Sequence, residues 1–144
     1  MALICLSALI RGRWPERITA IALAIAWVGS AAVEDRRGLH HPTTYHGFQP
    51  AIFAIDCLYG LFLGVLVAAV PRRWAILAAG CQLFLVGLHI VAATTHWVSQ
   101  WDFFSAYYLL SWAGLASLAI GVAIEGRRPA PAPFPFKTAH ALKY

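Results

Sequence analysis

Residues 50–70 read PAIFAIDCLYGLFLGVLVAAV and residues 74–94 read WAILAAGCQLFLVGLHIVAAT; only Pro71, Arg72 and Arg73 separate them. Each run has about the 20 apolar residues that a helix needs to cross a hydrocarbon core of about 30 Å. An isolated strand in lipid would leave its backbone groups unpaired, so both runs are read as helices. A three-residue link permits only a tight reversal, which makes the two helices antiparallel neighbours.

Two more runs extend the pattern. Residues 103–124 carry no charge at all, and residues 18–33 form a shorter stretch of about 24 Å as a helix. The shorter one spans if the bilayer thins or if Arg17 snorkels. The whole chain of 144 residues agrees: 60% is hydrophobic, 12% is charged, and three cysteines are present; the mean hydropathy is +0.68. A water-soluble domain carries about 25% charged residues. Three cysteines cannot form a secreted disulfide framework. The abundance of Leu, Ile, Val and aromatic residues excludes disorder for most of the length. The expected fold class is all-α, an integral membrane antiparallel four-helix bundle with spans at 18–33, 50–70, 74–94 and 103–124.

The basic residues orient it. Arg11, Arg13, Arg17, Arg72, Arg73, Arg127, Arg128, Lys137 and Lys143 fall on one side, against Arg36 and Arg37 on the other. The positive-inside rule then places both termini in the cytosol of a bacterial inner membrane. Trp14, Trp74, Trp97 and Trp101 stand at span ends, as an interfacial belt requires. The net charge of +5 is spent on these flanks, and no basic face with interleaved aromatics exists for nucleic acid to follow. Residues 1–17 form an N-terminal segment in which MALICLSALI is too short to span; it lies in the interface or extends the first helix, with a break at Pro15. A signal peptide ending near Ser30-Ala31-Ala32 is the competing interpretation. Residues 125–144 form a Pro-rich cytoplasmic tail with polyproline-like character.

Asp56 is the most informative residue, because an ionisable group within a span is costly and normally faces protein with a partner. Counting from the span ends puts Asp56 about 9 Å below the outer surface and His89 about 10 Å below it. Two antiparallel neighbours therefore bring a carboxylate and an imidazole to one level, and they are expected to interact. Gln82, His89 and His96 are seven residues apart and share a face. Asp56, Gly60, Gly64 and Ala68 recur every four residues, and Gly60 with Gly64 makes a small-residue stripe for close helix packing. Tyr107 and Tyr108 lie at comparable depth and are expected to support the polar pair. The bland interpretation of Asp56 and His89 is interhelical glue rather than a catalytic dyad.

The outer loop 34–49 holds His40, His41 and His46, and His96 falls on the same side. Imidazoles could bind zinc or copper there, although the spacing matches no firm metal signature. A haem b would need two facing histidines, and only His89 is well inside a span. Quinone binding near His89, Asp56 and the tyrosines stays open. No phosphate loop, G-x-S-x-G, H-E-x-x-H or C-x-x-C occurs, so no catalytic residue and no enzyme activity are expected.

The run PERITA at 15–20, the Asp56 span, and CQLFLVGLHIVAATTHW at 81–97 resemble a loose group of small uncharacterised multi-pass bacterial inner-membrane proteins. That resemblance implies a membrane-embedded helical fold and no activity. The expected function is a small non-catalytic accessory subunit of a respiratory or photosynthetic inner-membrane complex, without cofactor, whose partners are the lipid bilayer and other membrane subunits. The alternatives are a haem- or quinone-binding redox anchor and a periplasmic-side metal binder.

Overall fold

The computed structural model describes residues 1–37, 50–95 and 99–125. These are helical nearly throughout: α1 (Ala2–Arg11), α2 (Trp14–Arg37), α3 (Pro50–Ala69), α4 (Arg73–Thr94) and α5 (Gln100–Ile120), the last running into a π-helical turn, Gly121–Glu125. The chain is all-α among the described residues, and four helices are long and apolar enough to cross a membrane: Trp14–Val33, Pro50–Ala69, Arg73–Thr94 and Trp101–Ile124. Leu58, Leu61, Val65, Leu83, Phe84 and Leu109 are each more than 60% exposed. In water such a surface would be one continuous adhesive patch; in lipid it is the solvated face.

Local sequence sets the helix ends. Pro50 opens α3, where its missing N–H would have no helical partner. Ser99 caps α5 by accepting from the Asp102 N–H at 3.2 Å. Gly12 and Arg13 break the chain between α1 and α2. A Cβ on Gly12 would collide with the Ala8 carbonyl and with Glu16 Cβ at 2.8 Å, so the reversal requires glycine there.

The packing follows chain order. α2 lies on α3, α3 on α4, and α4 on α5. Ala75, Ala78, Gln82, Leu85 and His89 are the inward face of α4, spaced alternately three and four residues apart. α2 and α5 hardly touch, and α1 stands between them, against α2, α5 and the π-helical turn. Cys5 and Ala8 of α1 join Leu63, Leu66, Trp74, Ala78, Leu118 and Val122 in the core. Ten residues of helix reach only about 15 Å, half of a span. α1 therefore fills the gap between α2 and α5 at the Arg72 end alone.

This differs from one of the two placements expected for residues 1–10, the extension of the first helix. These residues do not prolong the first span, because the chain breaks at Gly12 and Arg13; one face of α1, with Cys5 and Ala8, is buried by the longer helices, while Leu3, Leu6 and Ile10 are exposed. The Pro-rich tail after residue 125 and the loop 38–49 lie outside the described residues.

Candidate functional site

Asp56 sits near the start of α3 and His89 near the end of α4, and both are buried at 7% and 3% exposure. His89 Nε2 donates to Asp56 Oδ2 across 3.0 Å. Gln82 Nε2 donates to Asp56 Oδ1 at 3.2 Å and to its main-chain oxygen at 3.0 Å. Tyr107 adds a longer bond from its hydroxyl to Oδ2, 3.4 Å. Three polar contacts from α4 and α5 thus converge on the Asp56 carboxyl group, and a fourth holds its main-chain oxygen. They offset the cost of holding it away from water, which is the dominant penalty inside a membrane.

The imidazole is held by rings as well. Phe103, Phe53 and Tyr107 meet it edge-on, with centroids 5.2, 5.7 and 5.8 Å away. Such T-shaped contacts align the positive ring edge with a neighbouring π face.

Each residue expected at this site has a definite position. Asp56, His89, Gln82 and Tyr107 come together. Tyr108 does not join them: its side chain is 59% exposed and stacks on Phe104 at 6.3 Å. Adjacent helix residues differ by about 100° in direction, so only one of two consecutive tyrosines can face the pair. Gly60 lies against Gln82, whose Cγ would be 3.3 Å from an added Cβ, and this close approach lets the amide reach Asp56. Gly64 is exposed, with nothing within 4 Å of an added Cβ. A four-residue repeat drifts by about 40° per step on a 3.6-residue helix, which carries Gly64 and Ala68 off the packed face. His40, His41, His46 and His96 lie outside the described residues, within which no group of three metal-ligating side chains occurs.

The half-length of α1 leaves a cavity of about 510 Å³ at the other end of the α2–α5 gap. That is within the usual size of small-molecule sites, about 300–1,000 Å³. Asp56, Gln82 and His89 form its polar wall, Met1 contributes to its lining from α1, and Trp27 and Trp112 line it from α2 and α5. Both tryptophans are more than half exposed, so the cavity opens sideways between α2 and α5. Nothing in the sequence pattern announces this hollow, because it arises from two long helices kept apart by a short one.

A second polar centre was also not anticipated. Glu16 is fully buried and binds Arg72 through Oε1, 2.9 Å from Nη1. Its Oε2 accepts the Arg13 backbone N–H at 2.9 Å. Glu16 is the third residue of α2, so this second bond is the reciprocal half of a capping box. Arg17 Nε donates to the Gly12 carbonyl at 2.8 Å. The pair ties the α1–α2 reversal to the α3–α4 link. An acidic residue at that helix position was the available sign, overshadowed by interpreting Arg72 purely as a flanking charge.

Comparison with family models, with curated protein sequences and with solved structures found no match for this chain.

Proposed function

We propose that the chain is a non-catalytic integral membrane protein that binds a lipophilic small molecule in the lateral cavity, with the ligand's polar head at the end walled by Asp56, His89 and Tyr107. The observation that carries this reading is the cavity itself: mostly apolar, open towards lipid, and ending on a satisfied but exchangeable polar cluster. Apolar pockets with a few convergent polar groups are the usual form of small-molecule sites. The distribution of Arg and Lys supports an antiparallel four-helix bundle with both termini in the cytosol of a bacterial inner membrane.

The accessory-subunit reading draws on small size and on apolar outer faces, which lipid accounts for equally well. A bis-histidine haem draws less support, because His89 is the one histidine among the described residues and its Nε2 is engaged by Asp56.

The test is chemical. Protein purified from native membranes in mild detergent is extracted with organic solvent, and the extract is analysed by mass spectrometry. Ala26→Trp, which fills the cavity from α2, serves as the comparison, with helicity by circular dichroism as a control. The expected result is a compound enriched with the wild type and absent from the filled variant. Identical extracts from both would refute the reading.

A further inference from the structure

We propose that the occupant of the lateral cavity is a lipophilic organic cation, held by the Asp56 carboxylate and by aromatic faces, and that it competes with His89 for that carboxylate. The inference rests on the binding reading above and adds the chemical class of the ligand.

Charge points to this class first. Asp56 is the only acidic side chain among the described residues that line the cavity, and no lysine or arginine side chain lines it; the other charged group on a lining residue is the amino group of Met1, at the α1 end. A cavity reached through hydrocarbon and carrying one carboxylate is selective for a molecule that is apolar in bulk and positive in charge, since an ionisable group at that depth calls for an opposite partner. Ring chemistry points the same way. Trp27, Tyr59, Phe103, Phe104, Tyr107 and Trp112 line the walls. Their negative π faces attract a cation while their bodies accept its apolar bulk.

The hydrogen-bond geometry shows where the ligand would act. Asp56 Oδ2 is shared by His89 at 3.0 Å and Tyr107 at 3.4 Å. The tyrosine bond is the longest in the cluster and the readiest to exchange. The His89 ring nitrogen satisfies the same oxygen that a bound cation would approach. Carboxylate and imidazole therefore act in opposite senses on such a ligand, although they are hydrogen-bonded partners in the structure.

That opposition separates a binding role from helix glue. The experiment is equilibrium dialysis of tetraphenylphosphonium against the full chain in mild detergent, with a short-tailed neutral quinone measured in parallel. Asp56→Asn, which keeps the side-chain shape, should weaken tetraphenylphosphonium binding by about tenfold or more, the factor carried by one charge-assisted contact. His89→Gln should tighten it. Ala26→Trp should abolish it. Neutral quinone should bind weakly and indifferently to Asp56→Asn. Loss of cation binding in both Asp56→Asn and His89→Gln would overturn the competition. Saturable binding of the quinone alone, blocked by Ala26→Trp, would overturn the cation inference and leave the cavity reading standing. Failure of both probes, together with identical solvent extracts from wild type and Ala26→Trp, would remove both. If Asp56→Asn does not fold, the direction of the His89→Gln change and the contrast between the two probes decide the matter.

Discussion

Removing Arg72 should harm the protein more than removing the charge of its partner. The two sides of the Glu16–Arg72 bridge are not equivalent: Glu16 is completely buried, whereas Arg72 keeps 9% of its surface exposed at the start of α4. Arg72→Ala leaves a carboxylate that is short, rigidly placed and cut off from water. Breaking a buried pair in this way costs about 3–5 kcal/mol. Glu16→Gln retains an oxygen for the Arg13 N–H, and the long arginine stem can carry its guanidinium towards the interface. The cost then falls to that of a weakened charged hydrogen bond, about 1–2 kcal/mol. Unfolding in mixed micelles of mild detergent and dodecyl sulfate, followed by circular dichroism, measures both on one scale. The double variant should lose less than the sum of the singles, since each partner's burial is costly chiefly without the other. Equal losses for the two single variants, or an Arg72→Ala protein within about 1 kcal/mol of wild type, would refute the reasoning.

The Asp56–His89 contact should appear in a double-alanine cycle as a coupling of about 1 kcal/mol, modest because alternative partners exist in the membrane-embedded unfolded state; strict additivity would mean that the contact contributes nothing. Gly121→Ala should destabilise by about 1–3 kcal/mol, because an added Cβ would press into the Trp74 indole, its Cδ1 only 2.6 Å away. Trp74→Phe should be far milder than a typical loss of a buried polar contact, since Trp74 Nε1 is buried without a hydrogen-bond partner; thermal unfolding of the two variants checks the order. Burial of Cys5 raises its thiol pKa above the ordinary value, with the amino-terminal charge opposing weakly. The thiolate is the reactive form, so a raised pKa shifts the rise of alkylation rate to higher pH. A pH profile of iodoacetamide labelling in a Cys57→Ser, Cys81→Ser background measures it, and a midpoint at or below that of a free thiol would contradict the placement of α1.

The long helices were legible because length and apolarity alone specify a membrane crossing. The meeting of Asp56 with His89 was legible for a related reason: a three-residue link makes helical depth countable from each end. Gln82 followed from its seven-residue offset to His89. What escaped the sequence depends on lateral placement rather than depth. The ten residues of α1 carry the same apolar character whether they lie on lipid or between helices, and only the separation of α2 from α5 gives them a berth. Glu16 carried only half of a capping-box signature, since the residue three positions before it is Arg13 and not Ser or Thr, and nothing in the flank announces its pairing with Arg72. Gly121 gave no sign at all, since its need for a bare Cα comes from an indole 47 positions earlier in the chain.

The short first helix has a consequence for traffic. It stops the channel between α2 and α5 at mid-depth, much as a cork stops the neck of a bottle, so the hollow is a cul-de-sac. Under the binding role proposed above, a guest that enters from the hydrocarbon leaves by the same door, as suits retention or hand-over of a cargo more than its passage through the chain.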